Sequence, residues 1–400
     1  MLQPMKLSTM GALVMGFLSG LSSPVLAINA DAPIVIGLDA AMSGVDAQGG
    51  EAIRRGATIA IAEINAAGGV LDRPFKLMIR DHRANPARGI DNMDEFGATK
   101  DLVAVIGGVH TPVAMAELES IHRHQLIYLG PWAAGTPIVA NGHSPNFVFR
   151  VSVRDEHAGG FLIEAAQNQG FKSPGLLLWR TAWGRSNEKA MTAALGNSDI
   201  NLAGIEWFNS GERDMSQQIA ALAAKGADVI ILVANSADGR VAIRDIARMP
   251  ASNRLPVISH WGITGGDFYE RASADIKQVE LTFLQTFSFF DSPFPDRTSH
   301  VYEAYCDLFG PCTSVADVRS PVGVAHAYDL VHMLGRAIEN ANSTDRVKIR
   351  AALENLPSHQ GLMRDYNPPF TANRHDALDA RDFRLSRFST MGSIVPAETR

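Results

Sequence analysis

The 400-residue chain is short of charge and of cysteine: 20% of its residues are charged and only two are cysteines. Its 36 basic and 42 acidic residues give a net charge of −6, with no lysine or arginine stripe to neutralise a phosphate backbone. Nucleic acid is therefore not an expected partner. Neither cysteine lies near the N-terminus, which argues against a lipid anchor attached through an N-terminal cysteine. Past the first residues no run is long and apolar enough for a bilayer, so direct membrane insertion is not expected.

Catalytic signatures are missing as well. There is no Gly-x-Ser-x-Gly elbow, Walker loop, His-Glu-x-x-His or Cys-x-x-Cys. His122 and His124 stand two apart on a predicted helix and point in different directions, while His326 and His332 interrupt the apolar face of another. No metal, cofactor or catalytic residue is expected, and the chain is not read as an enzyme. A nucleophile and its base can lie far apart in sequence, so an exported hydrolase stays open as an alternative.

What is present begins with an export signal: Lys6, an apolar run from Met10 to Leu21, then small residues at Ser22, Ser23 and Ala27. Residues 1–27 are expected to be removed after Ala27, because Val25 and Ala27 fit the small-residue rule before the cut. A buried N-terminal helix is the alternative, but Gly16, Gly20 and Pro24 would interrupt it. Cys306 and Cys312 sit six apart across a helix-ending Gly310-Pro311 turn, and an exported protein meets oxidising conditions. A local disulfide and two separate thiols both fit.

From Pro33 onward, short apolar runs alternate with amphipathic helices, the pattern of parallel βαβ units. Ile34 to Leu38 is a predicted strand, and Gly50 to Ala67 a helix with Ile53, Ala57, Ala60, Ile61 and Ile64 on one face before Gly68-Gly69. Phe75 to Ile79, Val103 to Ile106 and Leu126 to Leu129 continue the sheet. A second series follows Arg150, with strands predicted at 175–179, 204–208, 228–233 and 255–258. The last third holds a strand at 281–287, three helical stretches and an extended segment at 383–388. No low-complexity linker separates the halves, so two intertwined lobes are expected, as the length also suggests.

Open parallel sheets bind ligands beyond the carboxyl ends of their strands, where helix N-termini offer N–H groups. Those loops are Asp39–Gly50, Gly108–Pro112 and Gly130–Thr136 in the first series, and Arg180–Asn187, Ala234–Gly239 and Ser259–Asp267 in the second. They contain Trp132, Trp183 and Trp261, each of which could instead be a large buried side chain. Asn235 lies in the same set. Arg180 could pair with an anionic ligand or be a solvated surface charge, and His260 could make one hydrogen bond. Three indoles could also cage a quaternary ammonium.

The segment from Gly37 to Gly69, with Gly-Leu-Asp-Ala-Ala-Met-Ser-Gly and Gly-Ala-Thr-Ile-Ala-Ile-Ala-Glu-Ile-Asn-Ala-Ala-Gly-Gly, resembles the opening of leucine/isoleucine/valine-type periplasmic binding proteins. The likeness runs on through Arg80-Asp81, Val105-Ile106-Gly107-Gly108, Gly130-Pro131, Phe149-Arg150 and Trp183-Gly184. It implies an α/β type I periplasmic binding protein fold: two Rossmann-like lobes, a three-crossover hinge and a ligand cleft between them. Mapped onto this chain, it puts hinges near Ser152, Leu284 and Arg364. Lobe 1 is then 31–152 plus 283–364, and lobe 2 is 153–282 plus 365–400. It further implies a monomeric periplasmic receptor that delivers a small molecule to an inner-membrane ABC permease. A periplasmic sensor for a signalling partner is the alternative within the same fold.

The resemblance also assigns residues. A hydroxyl at Thr111 and backbone groups in the loop Trp132, Ala133, Ala134 would hold a ligand carboxylate, though Thr111 would equally serve as a helix N-cap. His110 and Ala84 stand where the amino-acid receptors have half-cystines, so that family disulfide is absent. Trp183 matches an aromatic that packs on the ligand. Trp261 stands where the family has the carboxylate that pairs with an α-ammonium, and burying that ammonium unpaired costs several kcal/mol on the order of the usual desolvation penalty. Asp238 and Asp267 could compensate, but neither aligns. Gly49 replaces a family aromatic. The expected ligand is thus an aromatic or bulky carboxylate or amide rather than leucine.

Overall fold

The computed structural model describes residues 32–196 and 198–397; the expected signal peptide lies outside them. The first lobe is built from β1 (Ile34–Ala40), α1 (Ala47–Ala66), β2 (Phe75–Asp81), α2 (Pro86–Ala98), β3 (Leu102–Ile106), α3 (Thr111–Arg123), β4 (Ile127–Gly130), α4 (Thr136–Val139) and β5 (Val148–Arg150). Its five strands are parallel in the order β2-β1-β3-β4-β5. Strands β1 and β3 are buried along their whole length, which is why they read as continuous apolar runs.

Helix α2 was not legible in the sequence pattern. Only Gly89, Met93 and Phe96 of its thirteen residues are buried, too few to mark an apolar stripe. Its start is local chemistry: Pro86 opens the first turn and the Asn85 side chain accepts from the Ala87 N–H at 2.9 Å.

The second lobe takes α5 (Asp155–Asn168), β6 (Pro174–Trp179), α6 (Ala182–Leu195), β7 (Gly204–Phe208), α7 (Ser216–Ala224), β8 (Val229–Val233), α8 (Ser236–Ala247), β9 (Val257–Ser259), α9 (Phe268–Ile276) and β10 (Leu281–Gln285). The chain then returns to the first lobe for α10 (Pro295–Phe309), α11 (Pro321–Ala341), α12 (Arg346–Glu354), β11 (His359–Gln360) and β12 (Asp365–Tyr366). It ends on β13 (Arg384–Phe388) and β14 (Ile394–Pro396), which complete a seven-stranded sheet ordered β14-β13-β10-β9-β8-β6-β7. Helix α11 lies against α1 so closely that a Cβ on Gly56 would stand 2.1 Å from the Val324 carbonyl oxygen. Cys306 and Cys312 are joined as a disulfide at the end of α10, with their Cα atoms 5.5 Å apart.

Two of the expected hinges are displaced. Leu284 pairs with Leu385 inside β10, so a boundary at 283 would cut a strand of the second sheet, and the chain crosses only after Gln285. The apolar run 281–287 carries no local mark of where the sheet lets go. The third crossing also comes later than Arg364. Asp365 and Tyr366 pair back with Gln360 and His359, and Arg150 N donates to His375 O at 2.8 Å while Ala377 N donates to Arg150 O at 2.9 Å. Residues 365–377 therefore stay on the first lobe, and the second resumes with the turn 380–382, which packs on α5. A pairing with a strand two hundred residues upstream leaves no trace in local patterning.

Candidate functional site

Helices α3, α6 and α8 follow β3, β6 and β8, and their N-termini converge between the lobes. The space they enclose is about 230 Å³ with its open mouth included. From the first lobe Val109, His110, Thr111, Trp132 and Ala134 line it; from the second, Trp179, Trp183, Asn235, Trp261 and Gly262. The lobes touch here. The Trp132 and Trp261 rings lie 5.5 Å apart, tilted by 43°, and each residue is 1% exposed. Ser320 Oγ donates to Thr264 O at 2.7 Å and Thr136 N to Ser186 Oγ at 3.2 Å, closing the gap at either side.

The first-lobe wall is tied to the hinge. Ser152 Oγ donates to Trp132 O at 2.7 Å, and Arg150 Nη1 donates to Ala133 O at 3.2 Å and Gly135 O at 2.9 Å. The Arg150 guanidinium is fully buried and its Nε donates to Asp376 Oδ1 at 2.6 Å. The Trp132 indole N–H is buried with no partner among the described residues. His110 is buried too, its Nε2 3.0 Å from Asp46 Oδ2 and its Nδ1 without a partner among the described residues. The His82 ring meets it edge-on at 5.6 Å; burial, and then the charge His110 would carry, pushes His82 down to about 3.

On the facing wall the Trp183 indole N–H donates to Asp155 Oδ1 at 3.1 Å, and its ring meets Trp179 edge-on at 6.5 Å. Asp155 is completely buried and serves this face from the start of α5. A larger groove of about 1910 Å³, between Phe161, Ile276 and Phe383, is lined from the second lobe alone and so cannot be read by lobe closure.

A family model described as periplasmic binding protein matches residues 33–380. The chain belongs to the periplasmic binding protein family. Among curated relatives of this binding protein is a Leu/Ile/Val-binding protein homolog of Brucella melitensis, 24% identical over 315 residues, covering 78% of this chain and 81% of that one. Among solved structures, the branched-chain amino acid transporter substrate binding protein of Streptococcus pneumoniae in complex with isoleucine is 17% identical, with a TM-score of 0.77 over 92% of this chain and 99% of that one. A solute-binding protein of an ABC transporter from R. palustris, in complex with 4-hydroxybenzoate, is 16% identical, with the same TM-score of 0.77 over 92% of this chain and 96% of that one. These likenesses show the type I fold. Members of the family bind small molecules for ABC permeases, and among the described residues no helix of this binding protein is long and apolar enough to cross a membrane.

The binding protein's cleft gathers seven of the residues expected from sequence: His110, Thr111, Trp132, Ala134, Trp183, Asn235 and Trp261. Three do not reach it. Arg180 is exposed and lies over the Trp207 ring at 5.8 Å, in a tight turn just past β6 where Thr181 N donates to Trp179 O at 2.7 Å. His260 is fully buried behind the wall: its Nδ1 accepts from Trp261 N at 2.9 Å, and its Nε2 lies 3.2 Å from Asp155 Oδ1 but out of line for a hydrogen bond. Ala133 is buried and gives its carbonyl to Arg150 instead.

Thr111 is also not an N-cap. It is the first residue of α3, after His110, and its hydroxyl accepts from Gly135 N at 3.2 Å, tying the helix to the loop. Asp267 pairs with Arg271, and Asp238 accepts from Gly211 N at 3.0 Å, so neither carboxylate lines the space. Sequence reasoning missed Val109, Trp179 and Gly262. Trp179 carried a usable signal as the last residue of a strand ending at the cleft. Gly262 fits because a Cβ there would stand 2.5 Å from the Trp183 ring.

Proposed function

We propose that this protein is the extracytoplasmic solute receptor of an ABC importer, and that its ligand is a small aromatic or bulky carboxylate or amide rather than leucine. One observation carries the reading of the ligand. Four of the chain's five tryptophans line the inter-lobe space, and none of the lining residues is charged. Flat apolar walls suit a ring. An α-ammonium placed there would lack the counter-ion it needs, at a cost of several kcal/mol on the order of the buried-charge penalty. The fold leaves this choice to side chains, since structures equally similar to it hold isoleucine in one case and 4-hydroxybenzoate in another.

Receptor action follows from the two-sided wall. A ligand that contacts Trp132 and Trp261 together joins the lobes, and the closed form is the state a permease would recognise. A thermal-shift screen of the mature protein against aromatic acids, aromatic amides and branched-chain amino acids tests the reading. Aromatic compounds should raise the melting temperature and leucine should not. Strong stabilisation by leucine alone would overturn it.

A further inference from the structure

Two polar atoms on cleft-lining residues are buried without a partner among the described residues: the Trp132 Nε1–H, a donor, and His110 Nδ1. The role of His110 Nδ1 is set at the other side of its ring. Nε2 lies 3.0 Å from the Asp46 carboxylate, which only accepts when ionised, so a single proton on this imidazole sits on Nε2 and leaves Nδ1 a lone pair. These two orphans are one donor and one acceptor, and the Thr111 hydroxyl and the Asn235 carboxamide line the space beside them.

We propose that His110, held in this tautomer by Asp46, determines specificity by demanding a hydrogen-bond donor at the polar end of the ligand, and that the ligand is an aromatic carboxamide rather than a carboxylate. This rests on the reading that the inter-lobe cleft holds the solute. An un-ionised carboxamide satisfies both orphans, its NH₂ donating to His110 Nδ1 and its carbonyl accepting from the Trp132 N–H. An ionised carboxylate has no donor, so it leaves Nδ1 unpaired in a buried site.

The surrounding charge points the same way. No lysine or arginine lines the space. Asp46 stands behind His110 in the first lobe and Asp238 on α8 in the second, where burial and then the Asp46 charge raise the Asp238 carboxyl above its ordinary range. A ligand anion would enter the field of both. At the α3 terminus Pro112 has no N–H, and those of Val113 and Ala114 donate to the His110 carbonyl at 3.1 and 3.0 Å, so none of the three is free for a ligand.

Isothermal titration of the mature protein with benzamide, benzoate and leucine tests the proposal on the wild type, without any variant. Benzamide should bind about 10-fold or more tighter than benzoate, the ratio set by one unpaired buried acceptor. His110→Phe should erase that preference, mainly by weakening benzamide. Asp46→Asn, whose carboxamide can either accept or donate, should narrow the ratio by freeing the tautomer, and melting curves will report whether both variants are folded. Benzoate binding as tightly as benzamide, or tighter, overturns the proposal but leaves the aromatic cleft standing. Binding of leucine alone, or of none of the three, overturns both.

Discussion

Arg150 and Asp376, 226 positions apart, form a buried ion pair at the junction of the first and third crossovers. Arg154 Nη1 shares the same carboxylate at 3.2 Å. Because Arg150 also holds the carbonyls of Ala133 and Gly135, the hinge and the ligand loop are one unit. Asp376→Ala strands a fully buried guanidinium and should cost about 3 kcal/mol or more in urea unfolding. It should also weaken ligand binding, measured by titration under conditions where the variant is folded.

Trp183 works on two sides. Its ring lines the cleft, and its indole N–H bond to buried Asp155 adds a stability role. Trp183→Phe keeps an aromatic wall and leaves Asp155 short of a donor. It should cost about 1–3 kcal/mol in stability while changing ligand affinity only a few-fold. A large affinity loss with unchanged stability would refute this division.

The lobe contact needs a backbone without side chain at Gly266. A Cβ there would stand 2.5 Å from the Val45 carbonyl of the opposite lobe and 2.7 Å from Ser236 Cβ. Gly266→Ala should therefore favour the open form, lowering ligand affinity and enlarging the radius of gyration in small-angle scattering with ligand present. Unchanged scattering and affinity would show that closure does not bring these segments together.

A buried carboxyl pair under α3 gives a pH signature. Burial pushes Asp39 up to about 6, with hydrogen bonds to Glu117 and Asn92 opposing, while burial and then the Asp39 charge raise Glu117 well above its ordinary value. Both folded values lie above the unfolded ones, so the stabilisation is complete below the ordinary carboxyl range near about 4 and is lost as pH rises through the folded value. Glu117→Gln can donate to Asp39 at any pH. Its melting temperature relative to wild type should rise as pH increases through about 6; a constant difference from pH 4 to 8 would contradict the assignment.

Much of this architecture was legible because the buried strands and amphipathic helices repeat with clear periods: α1 could be read from Ile53, Ala57, Ala60 and Ile61, all buried as expected. Helix α2 could not, since its cap residues rather than an apolar face define it. The carboxyl-end rule named the loops that meet between the lobes, and three of the four tryptophans lining that space with them. It could not say which way a side chain turns within a loop, which is why Arg180 and His260 were misplaced. The Asp46–His110 and Arg150–Asp376 pairs are long-range contacts, invisible to any local pattern.

The most direct test is a tryptophan-fluorescence titration of the protein, since four of the five indoles line the cleft. Benzamide or benzoate should give a saturable change with one site per chain, and leucine should give none at the same concentrations. Saturable binding of leucine with no response to either aromatic compound would contradict the account.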